Sequence, residues 1–95
     1  AYAHLQAANI AFQNELDDKA LANYELVIKE LESKQYDEDE KGYLMQAYKN
    51  AGYIYWGSKK DLTTAQPYFE KLIKLDPNNS LAKKALGLDE EQQAQ

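Results

Sequence analysis

Apolar residues recur at intervals of three and four positions along most of the chain, which is the spacing of one face of an α-helix. This pattern predicts five helices. The first covers about residues 2–14. The second follows Asp17, its expected N-cap, with Leu16 stapled onto Leu21. The apolar stripe of the second helix comprises Ala20, Tyr24, Val27, Ile28 and Leu31.

The third helix has a clear start signal. Asp37 and Glu40 have the spacing of a capping box, in which each side chain accepts a hydrogen bond from the backbone N–H of the other residue. The helix that they open is expected to continue to about Gly57. The connection before it is longer than two packed helices need. About ten extra residues, 30–39, are therefore expected either to lengthen the second and third helices or to form a protruding loop.

The last two helices are bounded by polar caps and by proline. Asp61 is expected to open the fourth helix, which ends before Pro77. Pro67 predicts a mild kink in an early turn, or a start shifted to Thr64. A fifth helix over residues 80–91, capped by Asn79 or Ser80, has the apolar positions Leu81, Leu86 and Leu88. No segment alternates in the manner of a strand, so the fold is predicted to be all-α.

Large and small residues follow a fixed spacing in the third and fourth helices. Two tyrosines flank two small residues, and an alanine, a phenylalanine and a proline follow: Tyr48, Ala51, Gly52 and Tyr55, then Ala65, Phe69 and Pro77. This spacing resembles the tetratricopeptide repeat. It is interpreted as a close contact in which Ala65 presses against Gly52 while Phe69 covers the edge. The resemblance implies antiparallel helix-turn-helix repeats stacked as a short right-handed solenoid.

A weaker copy of the same pattern occupies the first two helices. Ala8 takes the place of Gly52, and Ala20 and Tyr24 take the places of the alanine and the phenylalanine. Ala8 and Ala20 are 12 positions apart, whereas Gly52 and Ala65 are 13 apart. The additional residue is expected in the turn at 57–60. Leu86 and Gly87 are interpreted as the packing pair of a third unit.

The repeats define the expected domain organisation. The whole chain is predicted to be a single domain, possibly a fragment of a longer chain. Its units are listed in chain order: repeat one at 1–35, an extended helix or loop at 30–40, repeat two at 40–78 and a capping helix at 79–91.

Composition narrows the functional classes. The 95 residues carry a formal net charge of −5 and no basic face, which disfavours nucleic acid as a partner. No run approaches the length of a membrane span. The absence of Cys excludes disulfides and thiolate metal sites. A soluble protein of the cytoplasm or the periplasm is equally compatible with these features.

Catalytic and metal chemistry have little support. His4 is the single histidine, and no serine lies in the context of an activated nucleophile. The serines near helix ends fit roles as caps or turn formers. The acidic run 37–40 could in principle ligate Ca²⁺ or Mg²⁺, but the calcium-loop pattern is absent and capping explains the acids. We therefore expect no enzyme activity, metal or cofactor.

The resemblance implies a binding face instead. In such repeats the first helix of each pair lines a concave groove, and ligand contacts lie at fixed places around the packing glycine. Carried onto this chain, the partner-binding positions are Leu5, Asn9, Gln13, Lys49, Tyr53, Trp56 and Lys84, with Leu88 as an additional one. Tyr53 and Trp56 are equally compatible with the core. A clamp for two carboxylates is not expected, because it needs more basic residues than these helices supply.

The predicted function is a non-catalytic scaffold that binds a peptide or helix of a partner protein on the concave face. Two alternatives stay open. One is self-association, in which exposed end faces pack against neighbouring repeats or another copy. The other is a regulatory repeat segment of a larger enzyme.

Overall fold

The computed structural model describes residues 1–88, and this part of the chain contains only helices and their connections. The all-α prediction is confirmed for these residues. The elements in chain order are α1 (Tyr2–Gln13), α2 (Asp17–Glu32), α3 (Glu38–Tyr53), a π-helical turn (Ile54–Ser58), α4 (Leu62–Leu75) and α5 (Ser80–Ala85).

Side-chain caps fix three of the helix starts. The predicted capping box is confirmed, since Asp37 accepts from the Glu40 N–H at 2.8 Å and Glu40 accepts from the Asp37 N–H at 3.1 Å. Asp61 caps α4, which begins at Leu62, so the alternative start at Thr64 is wrong. Asn79 caps α5 by accepting from the Ala82 N–H at 2.9 Å.

The start of α2 differs from the expectation. Its N-cap residue is Leu16, which offers no side-chain acceptor, and Asp17 is the first residue inside the helix. Asp17 and Asp18 therefore act as first-turn acids near the positive end of the helix dipole, and neither is a cap.

Consecutive helices pack into two hairpins, α1 with α2 and α3 with α4. The predicted stripe of α2 is buried throughout. Tyr24 and Phe69, the equivalent aromatic residues of the two second helices, are fully buried. The Phe12 ring meets Tyr24 edge-on at 6.4 Å between centroids, and Trp56 meets Phe69 in the same way at 5.8 Å. The two hairpins thus share one packing scheme, as the internal repeat predicted.

The close contact of Gly52 is with the Phe69 ring. A Cβ atom added at Gly52 would lie 3.0–3.1 Å from three carbons of the Phe69 ring. Those are the nearest atoms, so the glycine makes room for this ring. Ala65 is itself fully buried.

The additional residue of the second hairpin lies inside the helix and not in the turn after it. Residues 54–58 form a π-helical turn, closed by a hydrogen bond of 3.0 Å from the Lys59 N–H to the Ile54 carbonyl. Such a turn accommodates one more residue than an α-helical turn does. Gly57, expected in the turn at 57–60, belongs to this π turn.

The extra residues between the hairpins lengthen the helices. The helix α2 runs to Glu32 and α3 starts at Glu38, so the connection comprises only residues 33–37. Tyr48 of α3 donates a hydrogen bond to Glu32 at the end of α2. The long ends of both helices are therefore packed together, and no loop protrudes.

The fifth helix is shorter than predicted. It ends at Ala85, where Gly87 takes a φ of 74°. The Leu88 N–H donates to Lys83 at 2.6 Å and the Gly87 N–H donates to Lys84 at 3.2 Å. These two bonds form a Schellman motif. Gly87 is thus a helix-ending glycine and not a packing glycine, and the predicted positions 89–91 lie outside the described residues.

The buried apolar residues of α5 also differ from the prediction. Ala82 and Ala85 are buried, whereas Leu81 and Leu86 are only partly buried and Leu88 is 42% exposed. The alanines hold the short helix close to α4, with which it makes its contacts.

Candidate partner-binding face

The first helices of the two hairpins, α1 and α3, lie side by side. Side-chain contacts join them in the same order along both helices, so the helices run parallel. The contacts are Tyr2–Tyr43, with centroids 5.5 Å apart, Asn9–Gln46 at 3.4 Å and Phe12–Tyr53, with centroids 6.1 Å apart. We call the surface along this seam the first-helix face.

Leu5 does not belong to this face. Its side chain is only 3% exposed and is part of the main apolar core. A buried side chain cannot contact a partner, so Leu5 stabilises the hairpin of α1 and α2 instead. The sequence analysis did not reveal that Leu5 is buried. The resemblance assigned Leu5 to the binding face by its distance from Ala8, and that distance does not show whether a side chain is buried.

Asn9 is engaged within the protein. Its side-chain oxygen accepts a hydrogen bond from the Tyr24 hydroxyl at 2.5 Å, and the Asn50 amide donates to it at 3.4 Å. The same Asn50 amide donates to the Tyr24 hydroxyl at 2.9 Å. Burial raises the pKa of Tyr24, and the hydrogen bond from Asn50 partly opposes that shift. Asn9 therefore ties α1, α2 and α3 together.

Of the aromatic residues of the seam, Tyr2 is 54% exposed, and the second exposed one is Tyr53. Its side chain is 44% exposed, although its ring is held edge-on by Phe12. A Cβ atom added at Gly57 would lie 3.6 Å from the Tyr53 ring, so the ring rests close to the backbone of the π turn. The aromatic ring is thus fixed in place while nearly half of it faces solvent.

Trp56 has a different environment. It is partly buried, packs against the main core and meets the ring of Phe69 edge-on. Since it repeats the position of Phe12 in the first hairpin, Trp56 closes the edge of the second hairpin. Of the two aromatic residues left open by the sequence, Tyr53 is accessible and Trp56 belongs mainly to the core.

The remaining predicted positions are polar. Gln13 and Lys49 are exposed on α1 and α3. Lys49 also borders a cavity of about 120 Å³ where α3 meets α4 and the cap of α5, together with Leu72 and Asn79. Lys84 is exposed on α5, but no contact of the described residues joins it to the seam. Leu88 follows the Schellman turn and is not on a helix.

The structure also contains a groove that the sequence did not reveal, between the second helices α2 and α4. Its main part has a volume of about 560 Å³, and Tyr48 is at its α3 side. Glu25 accepts a hydrogen bond from Tyr68, while Glu32 accepts from Tyr48 and from Lys71. The polar groups of this groove therefore bind one another.

The tyrosines of that groove are strongly perturbed. Burial and the hydrogen bond to Glu32 raise the pKa of Tyr48 far above its ordinary value. Burial and the hydrogen bond to Glu25 do the same for Tyr68. Both hydroxyls consequently stay protonated and act as donors, which suits structural contacts between the hairpins. In the sequence, the sole indication of these tyrosine contacts is the unusual number of tyrosines, eight in all.

Residues 1–88 contain no group of three or more histidines or carboxylates placed to hold a metal ion. In the acidic run, Asp37 and Glu40 bind the backbone of the α3 start. None of the helices in the described part of the chain is both long and apolar enough to cross a membrane.

Comparison with known proteins gives one match. The model of the tetratricopeptide repeat family matches residues 45–79, which span most of α3, the π turn, α4 and the turn before α5. No curated protein and no solved structure matches the chain. The match covers all seven motif residues on which the resemblance rested, and it confirms that resemblance.

Proposed function

We propose that this tetratricopeptide repeat chain binds a segment of a partner protein on the first-helix face, without catalysing a reaction. Tetratricopeptide repeats generally mediate protein–protein interaction, and the family is typically non-catalytic. The observation that carries the proposal is Tyr53, whose ring packs edge-on against Phe12 while its side chain is still 44% exposed. A rigid, half-exposed aromatic side chain loses little entropy on binding and supplies a large apolar contact.

The polar residues near Tyr53 define what the face can recognise. Lys49 is exposed one helical turn before Tyr53 on α3, and it forms no ion pair with the residues of the described part. Gln13 and Gln46 are exposed on the two helices of the seam. Amide and ammonium groups of this kind bind backbone carbonyls and carboxylates of a peptide. The partner segment is therefore expected to combine an apolar anchor with a nearby carboxylate or free carbonyl.

The groove between α2 and α4 is a weaker candidate for the same function. Its acidic residues, Glu25 and Glu32, already accept hydrogen bonds from Tyr68, Tyr48 and Lys71. A ligand there would have to break these contacts, which join the two hairpins, and would leave their partners unsatisfied. Binding at the first-helix face requires no such loss.

A selection from a peptide library displayed on phage, with the 95-residue protein as bait, tests the proposal. Tyr53→Ala is expected to weaken binding of the selected peptides about tenfold or more, since an anchoring aromatic residue contributes over 1 kcal/mol. Tyr36→Ala is the matched control, because Tyr36 is 37% exposed and lies in the connection between α2 and α3. This control should leave the affinity unchanged.

Thermal unfolding separates binding from folding. Tyr53→Ala is expected to change stability by less than about 1 kcal/mol, as partly exposed positions usually do. If the peptides lose affinity with Tyr36→Ala and keep it with Tyr53→Ala, the first-helix face is not their site, and the groove between α2 and α4 takes its place.

A further inference from the structure

Two tyrosine rings of the second hairpin stack on each other. Tyr55 of the π turn and Tyr68 of α4 have ring centroids 5.7 Å apart, and their ring planes differ by only 19°. Both residues pack against the core on one side and are partly exposed on the other. The pair is therefore held in place by the fold and still lies at the surface, where a small reagent can reach it.

The two hydroxyl groups lie at the same end of the stack. Burial and the hydrogen bond to Glu25 raise the pKa of Tyr68, and a smaller contribution comes from the Tyr55 hydroxyl beside it. In an oxidised phenol, the unpaired electron resides largely on the oxygen and on the two ortho carbons next to it. Since the hydroxyls of Tyr55 and Tyr68 are neighbours, the ortho carbons of the two rings are neighbours as well.

Glu25 gives Tyr68 a path for losing its proton. A phenol gives up an electron readily only when its proton leaves at the same time, because the protonated radical is a very strong acid. The Tyr68 hydroxyl already donates a hydrogen bond to the Glu25 carboxylate. Glu25 is exposed and can pass a proton on to water. Tyr68 is thus arranged for one-electron oxidation while it is in its protonated form.

The composition of the chain leaves oxidation mainly to its aromatic residues. There is no Cys, and a single Met and a single Trp stand against eight tyrosines. Trp56 is the direct neighbour of Tyr55 in the π turn, so an electron vacancy formed on the indole can pass to the phenol. A covalent cross-link formed by oxidation of this chain cannot be a disulfide, and the stacked phenols are the groups placed to form another kind.

We propose that Tyr55 and Tyr68 form an oxidative cross-linking site that staples the π turn to α4. Two equivalents of a one-electron oxidant each remove one electron from one phenol, and the two phenolic protons leave to Glu25 and to water. The two radicals combine in a carbon–carbon bond between one ortho carbon of each ring. Each of these carbons then loses its hydrogen as a proton while its oxygen regains one, so the product, dityrosine, has two electrons and two protons fewer than the separate residues.

The new bond closes a short loop of the chain. Tyr55 and Tyr68 are 13 positions apart, and the loop contains the end of the π turn and the connection into α4. Within that connection Lys60 has a φ of 53°, in the left-handed region. A cross-link stabilises a folded protein mainly by restricting the unfolded chain. The staple is therefore expected to make the second hairpin harder to unfold.

A second tyrosine pair of the chain serves as an internal comparison. The rings of Tyr2 and Tyr43 have centroids 5.5 Å apart, but their planes are tilted by 41°. The Tyr2 hydroxyl accepts a hydrogen bond from Gln6 at 2.9 Å, and neither hydroxyl of this pair donates to a carboxylate in the described part of the chain. The distance is equal while the alignment and the proton acceptor are missing, so coupling is expected mainly between Tyr55 and Tyr68.

Photo-oxidation of the 95-residue protein with tris(bipyridine)ruthenium and persulfate tests the proposal, because these reagents generate a one-electron oxidant in solution. In dilute protein, we expect dityrosine fluorescence in a product that runs as a single chain on a denaturing gel. Trypsin cuts at Lys59 and Lys60, so mass spectrometry should find the peptides of Tyr55 and Tyr68 joined and two hydrogens lighter than their sum. The cross-linked protein should unfold about 5–10 °C above the untreated one.

Substitutions locate the bond and the proton acceptor. Tyr55→Phe and Tyr68→Phe should each abolish the joined peptides, since phenylalanine keeps the ring and lacks the phenol. Tyr53→Phe is the matched control, because Tyr53 lies in the same tryptic peptide as Tyr55, and it should leave the yield unchanged. Glu25→Gln keeps a hydrogen-bond acceptor for Tyr68 but cannot take its proton, so it should slow coupling about tenfold or more. Circular dichroism checks that every variant is folded.

Three results would overturn the proposal. One is the absence of a bond between Tyr55 and Tyr68, whether the oxidant yields no dityrosine, joins Tyr2 to Tyr43 or joins only separate chains. Another is coupling in Glu25→Gln at the original rate, since the carboxylate would then not be the proton acceptor. The third is a cross-linked protein that unfolds at the original temperature, because the bond would then not act as a staple.

Discussion

The contact between Gly52 and Phe69 decides how closely α3 and α4 approach. The Phe69 ring is fully buried, and Trp56 stacks edge-on against it, so the ring has little freedom to move away. A methyl group at Gly52 would be tighter against the ring than ordinary van der Waals contact allows. Gly42, on the same helix, has no atom within 4 Å of its own Cβ position. Substitutions at the two glycines therefore distinguish the effect of packing on stability from the effect of helix propensity.

Gly42→Ala is expected to stabilise the protein by about 0.5–1 kcal/mol, because alanine has the higher helix propensity. Gly52→Ala gains the same propensity but overpacks the ring, which costs about 1–3 kcal/mol, so the net effect should be destabilising. Urea denaturation of the two variants measures the difference. Phe69→Leu in the Gly52→Ala background should recover part of the loss, and a Gly52→Ala protein as stable as Gly42→Ala would contradict the packing.

Some individual residues could be assigned from the sequence, and others could not. The small residues Ala8, Gly52 and Ala65 were correctly predicted to be buried, because the repeat spacing is a direct record of helix contacts. Leu5 and Asn9 were predicted to be accessible from their distance to Ala8 alone. Leu5 is in fact part of the core, and Asn9 binds Tyr24, a large polar side chain whose hydroxyl needs a partner inside the protein. A repeat pattern does not encode such local requirements.

At the scale of the elements, the helix starts were well predicted where the cap is a side chain. Asp37, Asp61 and Asn79 each accept a backbone hydrogen bond, as their positions before apolar stripes suggested. The prediction failed at Asp17, because the helix begins one residue earlier, after Leu16, which has no side-chain acceptor. The length of α5 was overestimated, because Gly87 was interpreted as a packing glycine and not as the glycine that ends the helix.

Asp37→Ala and Asp17→Ala should differ in stability for this reason. Asp37→Ala removes the side-chain acceptor of the Glu40 N–H, which is one of the two bonds of the capping box, and is expected to cost about 1 kcal/mol. Asp17→Ala loses only a charge near the helix dipole, which contributes about 0.3–1 kcal/mol at low salt. Thermal unfolding at low and at high salt measures both: the loss in Asp17→Ala should nearly vanish as salt is added, whereas most of the loss in Asp37→Ala should remain. If the two variants lost equal stability at high salt, this result would show that Asp17 acts as a cap.

The π turn makes a prediction about deletions. Ser58 is exposed at the end of this turn. Deleting it should convert the turn into an α-helical one and give the 12-residue spacing of the first hairpin, so the protein is expected to remain folded. Deleting Gln46, an exposed residue inside α3, rotates one half of the helix against the other and should unfold the second hairpin. Circular dichroism compares the two, and an unfolded Ser58 deletion would show that the π turn is required.

At the scale of the whole molecule, the sequence predicted the number and order of the hairpins but not how they are joined. The seam of α1 and α3 consists of Tyr2–Tyr43, Asn9–Gln46 and Phe12–Tyr53 contacts between residues far apart in the chain. None of these residues belongs to the repeat motif, so a motif could not reveal them. The same holds for the hydrogen bonds of Tyr48 and Tyr68 that join α2 to the second hairpin.

These contacts between hairpins predict that the chain unfolds as one unit. Trp56, the single tryptophan, lies in the second hairpin and reports on it alone, whereas circular dichroism reports on all helices. Ala8→Leu overpacks the first hairpin, where Ala8 is fully buried, and should cost about 1–3 kcal/mol. Because the hairpins share Tyr24, Asn9 and Asn50, the Trp56 fluorescence transition is expected to shift together with the circular dichroism transition.

Ala7→Leu is the matched control for this experiment, since Ala7 is the adjacent residue and is exposed. It should leave both transitions nearly unchanged. If Ala8→Leu lowers the circular dichroism midpoint and Trp56 fluorescence keeps its original transition, the hairpins unfold independently. The seam would then contribute too little free energy to couple them, and the first-helix face would not be a fixed surface on which a partner could bind both α1 and α3.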